Sequence, residues 1–342
     1  MPDATPFMEP LPDLPDGWVA RVPAEDDVPA LVALRAADVA PYTGAGGADE
    51  AAVRSEVIGQ ASWTRRQLVV AHGDERPRGW LSVQDRAAGR TMVSLWLERD
   101  LPSSGEVAAA LYGWADEQGR AIASLRGLGT TRMDASPFAG DDVQRGWLAA
   151  AGYECRRTWL HMTRPVDPTE LLPPLREGVA VRGVARHDNG VPVAQDLQVV
   201  HRMLEESFQD HFNSYRESFP EFVQRLREDP GHRWDHWWLA SVLQDGVEVP
   251  AGAIVCSVLA ADATGAEGSY VDYIGVNRAA RGRGVAKGLL HTVIADAAER
   301  GRNRVDLEVD ADSPTKADEL YVSMGWVTDH VTESWFKDVA AG

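Results

Sequence analysis

"YVDYIGVNRAARGRGVAKGLLHTVIADAAERGRNRVDLEVD", Tyr270 to Asp310, is the stretch on which the fold turns. It reads as an apolar strand, a basic loop containing glycines, an amphipathic helix that ends at Arg300-Gly301, and a second strand. Gly282 and Gly284 allow the backbone to approach a ligand closely. The unpaired N–H groups of the first helical turn, with the positive end of the helix dipole, suit a pyrophosphate, and Arg281 and Arg283 add charge there. A dinucleotide-binding turn would need a third glycine, but Lys287 stands at the matching place; Walker A spacing is also absent.

Forty residues on, "DSPTKADELYVSMGW" (Asp312 to Trp326) reads as another helix and the start of a closing strand. Ser313-Pro314 reads as a hydroxyl N-cap followed by proline at the first helical position. Together, Arg281-x-x-Gly284-x-Ala286 after a strand and this following segment resemble the GNAT superfamily of acetyltransferases, over residues 178 to 338. The resemblance implies acetyl-coenzyme A as co-substrate, no metal, and direct attack of an amine on the thioester where two strands splay apart. It further implies cofactor contacts from Ile274, Val276, Arg281, Gly282, Arg283, Gly284, Val285, Ala286 and Tyr321. Tyr321, in "LY" four residues before the helix-ending Gly325, matches the family's general acid. The family's acid on the strand before the loop falls at Tyr270, a departure that leaves Asp272, two residues along the same strand face, as the substitute base. Glu308 and Asp310 are further acids beside the same gap, and Tyr270 and His211 are candidate acceptor contacts.

The same opening occurs twice. "GWVARVPAEDDVPALVALRAADV" from Gly17 and "GVAVRGVARHDNGVPVAQDLQVVHRML" from Gly178 each give strand, polar turn and helix. "GWLAAAGYECRRTWLHMTRP" and "ELYVSMGWVTDHVTESWFKD" each give a helix closing at glycine and then a strand. The expected fold class is α/β, with two tandem GNAT-like domains, each a mixed, mostly antiparallel sheet flanked by helices. The expected boundaries are a lead-in over 1–16, a first domain over 17–163, a Pro-rich linker over 164–177 and a catalytic domain over 178–340. Aligning Leu97 with Val276 sets Gly105 on Gly284 but Pro102 on Arg281, and aligning Gly152 with Gly325 sets Leu148 on Tyr321. The first domain therefore reads as a degenerate copy. Such a tandem layout resembles that of the mycothiol synthases; the departure at Tyr270 keeps the expected acceptor general, a small-molecule primary amine.

Composition narrows the remaining classes. The 342 residues carry 34 Lys plus Arg against 52 Asp plus Glu, a net charge of −18, which disfavours nucleic acid and anionic membranes. Two cysteines without C-x-x-C spacing, no apolar run of membrane length and no signal-like start lead to an expectation of a cytoplasmic protein, monomer or homodimer. His232 and His236 stand four apart but lack a third ligand, so "HRWDHWW" reads as a loop entering a strand, with Trp237 and Trp238 over the core. Two alternatives stand beside the small-amine N-acetyltransferase: a non-catalytic acyl-coenzyme A-binding regulatory module, and a protein N-acetyltransferase.

Overall fold

The computed structural model describes residues 10–43, 47–86, 89–208, 217–313 and 315–342. Two compact units divide the chain: residues 1–158 with 332–342, and residues 159–331. His211 and Pro314 lie outside the described residues.

The first half of the sequence begins with β1 (Trp18–Arg21), α1 (Val28–Val39) and α2 (Glu50–Val57), followed by the strands β2 (Arg65–His72), β3 (Pro77–Arg86) and β4 (Arg90–Leu97). α3 (Ser104–Leu125), β5 (Thr130–Ala135), α4 (Asp142–Ala150) and β6 (Glu154–Pro165) follow. β4 alternates strictly, with Val93, Leu95 and Leu97 buried beneath α3. On the opposite face Trp80 packs with Leu31, Val53 and Val57 of α1 and α2, and its indole N–H donates to Gln67 Oε1 at 2.9 Å.

The second half of the sequence repeats this order as β7 (Val179–Gly183), α5 (Ala194–Ser207), α6 (Phe219–Arg227), β8 (His232–Gln244), β9 (Val247–Leu259) and β10 (Gly268–Val276). α7 (Val285–Glu299), β11 (Arg304–Asp310), α8 (Ala317–Ser323) and β12 (Val327–Ala340) complete it. Cys256, Val271, Leu289, Val293 and Leu307 form the core under α7, while Val200, Leu204, Phe222, Trp237 and Val255 form the one under α5 and α6. In both units one pair of strands is parallel, β4 with β5 and β10 with β11; the other pairings within the units are antiparallel.

The edge strand of each unit departs from the boundaries expected at 163 and 340. Residues 335–340 of β12 pair with β5 of the first unit, and residues 159–165 of β6 pair with β11 of the second. Each half of the sequence thus gives its last strand to the other half. An apolar closing strand looks alike in sequence whichever sheet edge it completes, so composition carries no trace of the exchange.

Gly275 sets how closely α5 lies on the sheet: a Cβ there would collide with Ser207 Oγ and stand 3.0 Å from Leu204 Cδ2. Gly252 does the same for α7, since its Cβ would stand 3.0 Å from Val285 Cγ1 and 2.7 Å from the Gly275 carbonyl oxygen. Gly275→Ala must push α5 outward; urea unfolding should show a loss of about 1–3 kcal/mol, the usual cost of overpacking.

Candidate active site

β10 is where regular pairing fails. Val271 pairs with Cys256 and Tyr273 with Val255, so Asp272 is the extra residue of a β-bulge. On its other edge β10 pairs with β11 only from Gly268↔Arg304 to Val271↔Leu307. Beyond Val271, among the described residues, the two strands form no further ladder, so Ile274 and Val276 lie past the last β10–β11 pair. Their side chains pack toward the α7 core.

The chain then turns through a short 3-10 helix, Arg278–Ala280, into α7. Gly282 and Gly284 have φ of 77° and 90°, left-handed values that favour glycine, and Gly284 is the helix N-cap. Gly288 N–H is the first to close on the helix, to Gly284 O at 2.9 Å, which leaves the amides of Val285, Ala286 and Lys287 as free donors at its start. The two arginines behave differently. Arg281 is exposed and its side chain makes no hydrogen bond among the described residues, whereas Arg283 donates to Leu243 O at 2.8 Å and fastens the loop to the end of β8. Sequence reading missed Arg176, which it left in the linker: its Nη1 donates to Gly282 O at 3.1 Å, and its Cδ lies 2.6 Å from where a Gly284 Cβ would be. Only the folded path of residues 166–178 brings it there.

Tyr321 sits on α8, 6% exposed, its ring edge-on to Trp326. Its hydroxyl has no hydrogen-bond partner among the described residues, and burial pushes its pKa up to about 12. α8 starts later than the sequence suggested. Its N-cap is Lys316, because Asp310 gathers the preceding turn by accepting Asp312 N–H on Oδ1 (2.9 Å) and Ser313 N–H on its carbonyl (3.0 Å). Asp310 is thereby buried as a turn-former.

Asp272 is half-buried, and Ser257 Oγ donates to its Oδ1 at 3.4 Å. Ser257 pairs with Tyr270, so Tyr270, Ser257 and Asp272 share the face covered by α5 and α6. Burial, then the charge of Asp229, pushes Asp272 up to about 8 against the opposing pull of Ser257 and Arg225. The Tyr270 hydroxyl is raised well above its ordinary value, chiefly by burial and then by the charge of Glu308. Glu308 is exposed, with His161 Nε2 3.6 Å from its Oε2. His161 stacks on His330 at 4.2 Å, and burial pushes its pKa down to about 4, so it is neutral near pH 7. His161 was also missed, since it lies on β6 and reaches this unit only through the strand exchange.

His232 and His236 lie within β8 rather than on a loop, and Trp237 is fully buried. His236 Nδ1 pairs with Asp235 at 2.7 Å. Among the described residues no group of three or more metal-ligating side chains forms, and no described helix is long and apolar enough to cross a membrane.

Residues 200–326, from α5 through the bulge, the loop and Tyr321, match the Acetyltransferase (GNAT) family. This segment is a GNAT acetyltransferase domain. The family joins acyl transfer to acyl-coenzyme A. No curated protein matches the chain. Among solved structures, the GCN5-related N-acetyltransferase from Sphaerobacter thermophilus superposes with a TM-score of 0.73 at 22% identity, covering 96% of this chain and 98% of its own. A tandem GNAT protein from the clavulanic acid biosynthesis pathway does so with a TM-score of 0.65 at 17% identity, covering 95% and 99%. These likenesses show the fold, two GNAT-like domains in tandem.

The N-terminal GNAT-like domain differs from its partner where phosphate would bind. Its left-handed N-cap is Ser103 (φ 57°), so Ser103, not Gly105, occupies the position of Gly284. The sequence alignment differs by two residues because the first half has the shorter loop, and counting back three residues from each left-handed N-cap sets Asp100 opposite Arg281. Arg99, the nearby cation, is held by Asp38 and Asp141. Leu148 is fully buried at the place of Tyr321.

Proposed function

We propose that the chain is an N-acetyltransferase that moves an acetyl group from acetyl-coenzyme A to the primary amine of a small molecule, at the second unit alone. The observation that carries this reading is the gap opening beyond Val271↔Leu307, with free helix-start amides at one end and Asp272 on the bulge beside it. The amides of Val285, Ala286 and Lys287, with Arg281 and Arg176, would hold the pyrophosphate. The stretch of β10 past the last β11 pair, at Ile274 and Val276, would hold the pantetheine arm by strand-like hydrogen bonds.

Acetyl-coenzyme A supplies an activated thioester. The amine must first lose a proton; with a reference pKa of about 10.4 this costs about 4.6 kcal/mol at pH 7. Asp272, pushed up to about 8, is matched to take that proton more readily than an ordinary carboxylate. Tyr321, protonated at any physiological pH and free of a protein acceptor, donates its proton to the departing thiolate. Tyr321→Phe should lower kcat about 10- to 100-fold and leave acetyl-coenzyme A affinity unchanged; equal kcat in a stopped-flow thiol assay would remove this role.

Glu308, an exposed carboxylate on β11 whose charge acts on Tyr270, favours an acceptor that arrives as an ammonium ion. Glu308→Gln should raise KM for a cationic amine roughly 3- to 10-fold with little change in kcat. Screening amines while following free coenzyme A thiol tests the whole proposal: release that depends on an amine supports it, and binding without release across the panel would leave only an acyl-coenzyme A-binding module.

A further inference from the structure

Asp272 is the extra residue of the β10 bulge, so its place depends on what grips the strand beside it. α6 supplies that grip. Phe222 and Arg225, three residues apart, share one face of the helix, and Asp229 follows at the corner before β8. Phe222 sinks into the core with Trp237 and Val255. Arg225 Nη1 donates to the hydroxyl of Tyr273, the residue directly after the bulge, at 3.0 Å, and its guanidinium lies 5.2 Å from the Tyr273 ring centroid.

The guanidinium is also held from behind. Its Nε and Nη2 donate to the two carboxylate oxygens of Glu217 at 2.9 and 2.6 Å. Glu217 is 6% exposed, and its own backbone is tied to α5: its N–H donates to Glu205 Oε1 at 3.4 Å and its carbonyl meets His201 Nε2 at 2.9 Å. A planar fork thus joins α5, α6 and the bulge, a geometry that a lysine ammonium does not reproduce.

The groups around Asp272 pull in opposite directions. Burial and then the charge of Asp229, which is fixed by the Gly231 N–H at 2.7 Å, raise its pKa, whereas Ser257 and Arg225 lower it. His232 stands opposite Ser257 on β8, with its pKa pushed down to about 4 by burial, and so is neutral. Cys256 and Tyr270 also feel the Asp272 charge, and Asp306 of β11 stands opposite Tyr270. Of the groups named, Arg225 alone is cationic near pH 7.

We propose that Arg225 is a positioning residue of the transfer site, one that pins the bulge through Tyr273 and presents a fixed cation to the Asp272 carboxyl. Its part in catalysis rests on the reading that Asp272 takes the amine proton.

The full-length protein, carrying ¹³C at its aspartate carboxyls, is titrated by NMR, with Asp272→Asn assigning the resonance, and kcat is followed against pH with a panel amine that releases thiol. The main variant is the neutral pair Glu217→Gln with Arg225→Gln, which keeps the shape and leaves no buried carboxylate unpaired. Its Asp272 midpoint should rise by about one pH unit. From a starting value of about 8, kcat at pH 8 should then fall about fivefold. Arg225→Lys should return the midpoint toward that of the wild-type chain and still leave kcat about tenfold low, since the fork is lost. Tyr273→Phe, which frees the bulge without touching either charge, should lower kcat about 3- to 10-fold at every pH. An Asp272 titration unmoved in the folded neutral pair, as a merely structural brace would give, or wild-type kcat in Tyr273→Phe would overturn the proposal. A titration that moves while wild-type kcat ignores the Asp272 midpoint would uphold the hold of Arg225 on Asp272 and overturn Asp272 as the base.

Discussion

Asp272→Asn should lower kcat roughly 10²- to 10³-fold and abolish the rise of kcat with pH that the wild-type chain should show with a midpoint of about 8. The amide keeps the size and the Ser257 contact but cannot take a proton. Stability provides a second readout with a definite sign. The folded carboxyl keeps its proton up to about 8, whereas in the unfolded chain it is lost near the ordinary 3.8. The group's stabilising contribution is therefore full below about pH 4 and is lost as pH rises through about 8. Asp272→Asn should flatten that decline in chemical denaturation. A variant with wild-type kcat and pH profile would show that the proton leaves by another route.

Gly284→Val should reduce acetyl-coenzyme A affinity by about 100-fold or more. The residue sits at φ 90°, where a β-branched side chain is strained by roughly 1–3 kcal/mol, and the new atoms would displace Arg176 from the loop. Both effects rotate the helix-start amides away from a shared focus. Arg281→Ala, by contrast, removes one exposed charge and leaves the amides in place, so about a tenfold loss is expected. Equal losses in the two variants would mean that charge, rather than backbone geometry, governs the binding.

Local patterns made much of the fold legible. Gly282 and Gly284 have short-range conformational consequences, so the strand, loop and helix from Tyr270 to Asp310 could be read directly, and the repeat from Gly17 and Gly178 exposed the tandem layout. What escaped was set by contacts distant in sequence. The bulge at Asp272 exists only as a mismatch between β9 and β10. Arg176 and His161 reach the second unit because the linker crosses the start of α7 and because β6 joins β11. The αL role of Ser103 was hidden because a left-handed serine has no distinctive spacing, unlike glycine.

Titrating acetyl-coenzyme A into the full-length protein by calorimetry, with stoichiometry as the quantity of interest, bears most directly on the claim that one loop, Arg281 to Ala286, holds the nucleotide thioester. The expected isotherm has one site per chain and disappears in Gly284→Val. Two sites per chain, no binding, or an isotherm that survives in Gly284→Val would contradict the account.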